Sequence, residues 1–387
     1  MTTSRESTAG ELTLRVAVIG PLMMPNRQGG MSRHCEEIYA RLAERGHEVS
    51  IYCSSRPQGA EYRGMTLRRV PALGIPGWDR IVYSLLATVL ATFGRYDVVH
   101  YHSLANTGFC FLPRLVSKGV VVTIHRIEWQ DEKWGAVARQ FLRWSEWCAM
   151  RFAHAVISVS THLKDDVTRR NPRGRGIQVI SNGATMPGDT GTAALDALGV
   201  VPGRYILSVG RLVPDKGWDV ALDGIAKLDP ADAAGLEYVI AGGARIETDY
   251  VRALHARARA AELPVRLLGM VPPETVEELY AGARVHLAPS FQEGQPLTVL
   301  EAMSHACCVV ASDIPAHHEV IGDAGVLYPA KDPAALADAL RRVLADDDLR
   351  AALGSRARTT VEERDELSWD RAADSTEAVL ESVGRDR

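Results

Sequence analysis

Short runs of β-branched and other apolar residues alternate with longer amphipathic stretches along the whole chain. Runs that are apolar on both faces predict strands of a parallel sheet that is covered by helices on both sides. In the first half the predicted strands are Val16–Ile19, Val49–Tyr52, Val98–Tyr101, Val120–Ile124, Ala155–Val159 and Gln178–Ile180, and the predicted helices are Ser32–Arg45, Ile81–Phe93, Ala136–Phe152 and Ser160–Arg169.

The same alternation starts again after Gly183–Gly203, a Gly- and Pro-rich segment with the composition of a linker. The predicted strands of the second half are Tyr205–Val209, Tyr238–Ala241, Val265–Leu268, Val285–Ala288, Cys308–Ala311 and Gly325–Tyr328, and its predicted helices are Trp218–Leu228, Asp249–Ala261, Pro273–Ala281, Leu297–His305 and Pro333–Ala345. The charged stretch Asp346–Asp365 is assigned to no element, and a last helix is predicted over Asp370–Val383.

These patterns predict an α/β fold with two doubly wound Rossmann-like domains that face each other across a cleft. The N-terminal domain is expected to span residues 1–190, and the C-terminal domain residues 191–369. The last helix is long enough to reach back over the cleft, so residues 370–387 are expected to pack on the N-terminal domain. Ligands of such sheets bind beyond the carboxyl ends of the strands.

Composition places the chain among globular proteins of ordinary content, with 387 residues, 46% hydrophobic and 24% charged. The six cysteines form no Cys-x₂-Cys pair, which favours a reducing compartment over a disulfide framework or a zinc site. Met1–Leu12 has no apolar core, and no stretch reaches the ~20 apolar residues of a bilayer span. The expected location is therefore the cytoplasm.

Charge is distributed unevenly between the two halves. Residues 1–190 contain 24 Lys and Arg against 16 Asp and Glu, whereas the remaining residues contain 20 against 32. A basic half fits nucleic acid, an anionic membrane surface or a phosphorylated ligand. No RNP, zinc-finger or helix-turn-helix pattern is present, so no nucleic-acid partner is expected. The basic, Trp-containing helix Ala136–Phe152 is expected either to pack on its sheet or to touch an anionic bilayer peripherally.

Four strand-end segments carry the candidate chemistry. Gly29 and Gly30 precede a helix, where backbone N–H groups approach a phosphate closely. His125 ends a strand and can hydrogen-bond a sugar hydroxyl. Arg211 and Lys216 lie in one glycine-flanked loop, where both cations can converge on a diphosphate.

The fourth segment contains two glutamates eight residues apart, Glu293 and Glu301. Pro296 suits the first position of a helix, which places Glu293 in the loop and Glu301 one to two turns into the helix. Eight residues at ~100° each bring both carboxylates to one side. A separation on the order of 10 Å suits a nucleotide sugar, with one carboxylate at the hexose and the other at the ribose.

Together these segments resemble family 4 of the retaining glycosyltransferases, which have the GT-B fold of two facing domains. The resemblance covers nearly the whole chain. It implies catalytic roles for His125, Arg211, Lys216 and Glu293. It further implies donor contacts from Gly29, Gly30, Gly210, Met270, Val271, Gly294, Gln295, Pro296, Leu297, Thr298 and Glu301. Arg126 departs from the glycine that family members often have after the strand-end histidine, and we expect it to place a cation near the acceptor. His102, which follows another strand, is expected either to pack in the core or to contact the acceptor.

The function implied by the resemblance is transfer of a hexose from a nucleoside-diphosphate sugar, with UDP as the expected nucleotide, to a hydroxyl of a saccharide, lipid-linked or small-molecule acceptor. Alternatives are a nucleotide-sugar 2-epimerase of the same architecture and a catalytically silent nucleotide-sugar- or membrane-binding module. No cofactor beyond the sugar nucleotide is expected. Cationic side chains and a helix dipole can replace a metal at the diphosphate, so we expect metal-independent catalysis.

Overall fold

The computed structural model describes residues 13–25, 29–55, 59–71, 79–131, 134–244 and 246–385. The polar start of the chain, residues 26–28 of the first predicted loop and residues 386–387 of the predicted returning segment lie outside the described residues. Among the described residues, no helix combines the length and the apolar character that crossing a membrane requires.

The first sheet is built from the runs of apolar residues in the N-terminal half. Its strand order is β3-β4-β2-β1-β5-β6-β7-β8, and every pair is parallel except β3 with β4. The strands are β1 (Arg15–Ile19), β2 (Glu48–Cys53), β3 (Glu61–Tyr62), β4 (Met65–Arg69), β5 (Val98–His102), β6 (Gly119–Ile124), β7 (Ala155–Ser158) and β8 (Ile177–Val179). Its helices are α1 (Gly30–Glu44), α2 (Asp79–Phe93), α3 (Leu112–Leu115), α4 (Ala136–Phe152) and α5 (Thr161–Arg170).

The second sheet is parallel throughout, in the order β11-β10-β9-β12-β13-β14. Its strands are β9 (Tyr205–Val209), β10 (Glu237–Ala241), β11 (Val265–Gly269), β12 (Val285–Ala288), β13 (Val309–Asp313) and β14 (Gly325–Pro329). The helices that accompany it are α6 (Ala193–Leu198), α7 (Trp218–Ile225), α8 (Asp249–Ala260), α9 (Pro273–Gly282), α10 (Leu297–Ser304), α11 (Pro315–Ile321), α12 (Pro333–Leu344) and α13 (Asp347–Glu363). The predicted α/β fold of two doubly wound domains is therefore confirmed.

The last helix, α14 (Trp369–Arg385), packs mainly against α1 and the first sheet. Arg45 near the end of α1 forms ion pairs with Asp374 and Glu377 of α14. The buried side of α14 includes Trp369 and Leu380. This packing leads the chain from the second sheet back to the first.

Each sheet changes winding direction beside its first strand. β1 lies between β2 and β5, and β9 lies between β10 and β12. Crevices at such points, beyond the carboxyl ends of the strands, are where open α/β sheets bind ligands. The loops after β1, β5, β6, β9 and β12 therefore define the place to look for a site.

Candidate active site

Two helix N-termini approach each other between the sheets. α1 begins at Gly30 and α10 at Leu297. A Cβ atom placed on Gly30 would lie 3.2 Å from Leu297 Cδ1, so a larger residue there would press on α10. Gly29 has a φ of 96°, which favours glycine. The free N–H groups and the positive dipole ends of both helices thus favour an anion in the space they share.

An ion pair joins the loop after β9 to the loop after β12. Lys216 Nζ lies 2.5 Å from Glu293 Oε1, and both side chains are largely buried. Gly217 has a φ of 69°, and a Cβ there would collide with the Pro289 carbonyl, so only glycine permits this contact of the two loops. Burial alone would raise the pKa of Glu293, but the Lys216 ammonium, with hydrogen bonds from Lys216 and Ser290, lowers it to about 2. Glu293 is therefore ionised at neutral pH.

His125 lies directly against the loop that carries Glu293. The His125 carbonyl occupies the position where a Cβ atom of Gly294 would be, so any side chain there would separate the two domains. His162 of α5 also reaches this loop, with Nε2 3.3 Å from the Glu293 carbonyl oxygen. The structure thus brings together His125, Lys216 and Glu293, three of the four residues predicted to act in catalysis.

His102 does not have the exposure that a direct acceptor contact requires. It is fully buried, with Nδ1 3.0 Å from His125 Nε2 and Nε2 2.6 Å from the Tyr39 hydroxyl. Of the two roles expected for His102, packing agrees with this burial, because its ring is enclosed by other side chains and contacts His125.

Arg126, the other predicted acceptor residue, bridges the two domains. Its guanidinium pairs with Asp131 in its own domain, and its Nη1 lies 3.1 Å from Asp215 Oδ2 in the other. Burial disfavours the charged form, but these two carboxylates raise the pKa of Arg126. Arg126 therefore stays charged and links its own domain to Asp215, the residue that precedes Lys216 in the loop after β9.

Glu301 lies in a different electrostatic environment from Glu293. It is the fifth residue of α10, is partly buried and accepts a hydrogen bond of 3.1 Å from the Tyr280 hydroxyl. Burial raises the pKa of Glu301, although the Arg33 charge and the Tyr280 hydroxyl act in the opposite direction. The two acids are thus held separately, one by a lysine and the other by a phenol.

The remaining predicted donor residues line the same strand ends. Arg211, the fourth residue predicted to act in catalysis, is exposed, and its carbonyl accepts a 2.9 Å hydrogen bond from Trp218 Nε1. Met270 is 46% exposed and lies next to the site of Gly243, where a Cβ would be 3.1 Å from Met270 Cγ. Val271, Gly210, Thr298 and Gln295 are partly buried, whereas Pro296 is buried.

Pro296 occupies the N-cap position of α10 rather than its first helical position, because its ψ of 95° is extended. Placing Pro296 at the first helical position is therefore wrong by one residue, whereas the predicted helix start at Leu297 agrees with the structure. Gln295 Oε1 accepts a 2.5 Å hydrogen bond from the Asn182 backbone N–H in the segment between the domains.

Glu319, which no sequence pattern indicates, joins the domains near the site. Its carboxylate on α11 accepts hydrogen bonds from the Thr161 and His162 backbone N–H groups, at 2.6 and 3.1 Å, and lies 3.0 Å from His162 Nδ1. It therefore caps α5 from the other domain. Ser160, the N-cap residue of α5, makes no capping hydrogen bond with its side chain. This is a property of the folded structure, so the sequence alone does not indicate that Glu319 caps α5.

Comparison with known proteins identifies the family. A model described as Glycosyltransferase Family 4 matches residues 28–185, and one described as Glycosyl transferases group 1 matches residues 203–346. An alpha-maltose-1-phosphate synthase of Mycolicibacterium smegmatis is 29% identical over 96% of this chain and all of its own length. A D-inositol 3-phosphate glycosyltransferase of Geodermatophilus obscurus is also 29% identical, over 92% of this chain and 86% of its own length.

Solved structures share the fold at lower identity. A sucrose-phosphate synthase of Thermosynechococcus elongatus superposes with a TM-score of 0.81 at 18% identity, over 97% of this chain and all of that one. Anabaena HepE in complex with UDP-glucose superposes with a TM-score of 0.78 at 21% identity, over 95% of this chain and all of that one. The two family models, the full-length relatives and the shared architecture agree: the chain belongs to the family 4 glycosyltransferases and is an enzyme of GT-B fold.

Proposed function

We propose that the protein is a retaining transferase that moves a hexose from a UDP-sugar to a hydroxyl of a saccharide, lipid-linked or small-molecule acceptor. The observation that carries this proposal is the Lys216–Glu293 pair, which lies beside the facing N-termini of α1 and α10 and against His125. A cation, a carboxylate and helix N-termini around one cleft match the parts of a sugar diphosphate. The UDP-glucose complex of HepE, which has the same fold, supports the choice of donor.

Each end of the donor has a complementary group. Lys216 and the exposed Arg211 neutralise the diphosphate, together with the backbone N–H groups at the start of α10. Glu293, which is ionised, accepts hydrogen bonds from hydroxyls of the hexose. Glu301 accepts hydrogen bonds from the ribose, and the backbone around Met270 contacts the base.

The reaction needs no protein nucleophile in this arrangement. The bond between the anomeric carbon and the phosphate oxygen breaks, and the acceptor oxygen bonds to the same carbon on the same face. The acceptor proton passes to the departing phosphate oxygen, so the products are the glycoside and UDP. Lys216 and Arg211 stabilise the negative charge that develops on the diphosphate. The carbonyl or imidazole of His125 stabilises the positive charge on the sugar.

We further propose that no metal ion takes part in this reaction. The charge that a divalent cation would neutralise on the diphosphate is met by Lys216, Arg211 and two helix dipoles. Excess EDTA is expected not to lower the activity. A loss of activity that Mg²⁺ or Mn²⁺ restores would contradict this part of the proposal.

The decisive experiment supplies UDP-, GDP- and TDP-sugars with candidate acceptors and determines the anomeric configuration of the product by NMR. We expect transfer from a UDP-hexose with the configuration retained. Lys216→Ala is expected to lower kcat by about 10²–10³-fold, as removal of one preorganised charge does, and Glu293→Gln is also expected to be impaired. The matched control is Lys227→Ala, which removes an exposed cation of the same domain.

Three results would contradict the proposal. Donor consumption without an acceptor would indicate an epimerase, and donor binding without turnover would indicate a silent module. Full activity in Glu293→Gln together with lost activity in Lys216→Ala would contradict the division of roles between the hexose and the diphosphate.

We also propose a cytoplasmic protein that touches an anionic membrane through α4. Trp144 and Trp147 stack at 4.9 Å between ring centroids and are 44% and 46% exposed, with Val137 77% exposed on the same helix. Arg143 and Arg151 flank them, and a basic helix with exposed tryptophans suits an anionic interface. Flotation with anionic liposomes is expected to carry the protein, and Trp144→Ala/Trp147→Ala to reduce it.

The control for flotation is Val201→Ala, which removes an exposed apolar side chain of the other domain. Equal flotation of the tryptophan variant and the unchanged protein would contradict membrane contact through α4.

A further inference from the structure

Three histidines from three different elements meet behind the candidate active site. They are His34 in the second turn of α1, His102 at the end of β5 and His125 after β6. One ring nitrogen of each lies within 4.8 Å of those of the other two. The ring centroids of His34 and His125 are 4.7 Å apart. His34 and His102 are buried, and His125 is the member with exposed surface.

The spacing of the nitrogens is close to that of a tetrahedral metal site. Metal–nitrogen bonds of about 2.0–2.1 Å at tetrahedral angles place the nitrogens roughly 3.3 Å apart. His102 Nδ1 and His125 Nε2 are 3.0 Å apart. Bringing the third nitrogen from within 4.8 Å to that spacing requires a movement of roughly 1.5 Å at most, within reach of a rotation of the His34 ring.

The other nitrogens of the two buried rings already have the partners that metal-binding histidines use. His34 Nδ1 donates to Asn182 Oδ1 at 2.8 Å, which leaves the lone pair of Nε2 available. His102 Nε2 lies 2.6 Å from the Tyr39 hydroxyl, which in turn lies 2.7 Å from His100 Nδ1. When His102 Nε2–H donates to Tyr39 and Tyr39 donates to His100, the lone pair of His102 Nδ1 faces His125. Such outer partners fix the tautomer and orientation of ligating rings.

The donor set selects a class of metal. Neutral imidazole suits zinc and its neighbours in the transition series, whereas Mg²⁺ and Ca²⁺ prefer oxygen.

We propose that His34, His102 and His125 form a three-imidazole site for a divalent transition metal of the zinc class, with its fourth position on the exposed side of His125. Binding requires His125 to carry its proton on Nδ1, since Nε2 becomes the ligand. The metal is not a catalytic cofactor in this arrangement. It occupies His125, so on the proposed function Zn²⁺ inhibits transfer, and a chelator restores it.

The test measures metal binding without any sugar nucleotide, so its outcome is independent of the proposed function. Isothermal titration with Zn²⁺ and the visible spectrum of the Co²⁺-loaded protein are recorded for the unchanged chain and for His34→Gln. We expect one Zn²⁺ per chain at this site, a four-coordinate Co²⁺ spectrum, and an affinity at least 10-fold weaker in His34→Gln. Tyr39→Phe, which removes an outer partner, is expected to weaken binding about 10-fold.

A second group supplies the matched control. His47, Glu377 and Glu381 are the other residues within the described part of the chain whose spacing could hold a metal. Glu381→Gln is expected to leave the Co²⁺ spectrum and the tight Zn²⁺ site intact. Circular dichroism and thermal unfolding verify that each variant is folded.

Tight Zn²⁺ binding that survives in folded His34→Gln but is lost in Glu381→Gln would place the metal at the second group and overturn the proposal. The proposal is also overturned if the unchanged protein binds Zn²⁺ no more tightly than His34→Gln does, or if Co²⁺ gives a six-coordinate spectrum.

Discussion

The carboxylate of Glu319 caps a helix that belongs to the other domain, and its removal has a calculable cost. Burial disfavours ionised Glu319, but hydrogen bonds from His162 and from the Thr161 and His162 backbone lower its pKa from 4.5 to about 2. A difference of about 2.5 pKa units corresponds to at most about 3.4 kcal/mol of stability at pH 7. The side chain is 23% exposed, and helix caps are worth about 0.5–2 kcal/mol. We therefore expect Glu319→Gln to cost about 1–2 kcal/mol at the contact between the domains.

The assay is hydrogen exchange at the start of α5. A loss of about 1–2 kcal/mol accelerates opening by about 5- to 30-fold, so the peptide containing Thr161 and His162 is expected to exchange faster by that factor in Glu319→Gln. Glu362→Gln, which removes one partner of an exposed ion pair with Arg358, is the control and is expected to leave the peptide unchanged. Equal exchange in Glu319→Gln and the unchanged protein would refute the capping role.

The pH dependence of the same contact has a definite sign. Because folding lowers the pKa of Glu319, its contribution is complete above 4.5 and is lost as the pH falls toward 2. The difference in thermal stability between the unchanged protein and Glu319→Gln is therefore expected to be full at neutral pH and to shrink in acid. A difference that grows as the pH falls would contradict this assignment.

Two further predictions concern the active site itself. Gly294→Ala places a methyl group where the His125 carbonyl lies, so we expect a loss of stability of about 1–3 kcal/mol from overpacking and a lower kcat/KM. Gly188→Ala, with no atom near its Cβ, is the control and is expected to be neutral. Unchanged activity in Gly294→Ala would show that the two domains do not close this way. Burial raises the pKa of Glu301, and the Tyr280 hydroxyl partly opposes this change. UDP affinity is therefore expected to fall as the pH drops through that pKa, and to begin falling at a higher pH in Tyr280→Phe. Identical pH profiles of the UDP Kd in Tyr280→Phe and the unchanged protein would contradict a ribose contact.

Most of the fold could be predicted because its strands and helices have strong apolar patterns. The bounds of Tyr205–Val209, Val285–Ala288 and Ala136–Phe152 agree with the structure to the residue. The helix Asp347–Glu363 was missed because few of its residues are buried, and ion pairs and the Asp346 cap stabilise it instead. The edge strand Glu61–Tyr62 was missed because it is short and partly polar.

Candidate site residues could be predicted where the composition of their own loop indicates ligand binding, but contacts between distant segments could not. Lys216 and Glu293 stand in loops whose glycines and charges mark them as ligand-binding. By contrast, Glu319 and Thr161 are 158 residues apart, and neither has a local pattern that indicates the other. The same holds for His34, whose packing against His125 depends on how α1 lies across the sheet.

A crystal structure of the protein with an intact UDP-hexose would show whether one sugar nucleotide lies between the domains. We expect the diphosphate within hydrogen-bond distance of Lys216, Arg211 and the first N–H groups of α10, with the hexose at Glu293 and the ribose at Glu301. A nucleotide bound elsewhere, with Glu293 still paired to Lys216 and Glu301 facing water, would contradict it.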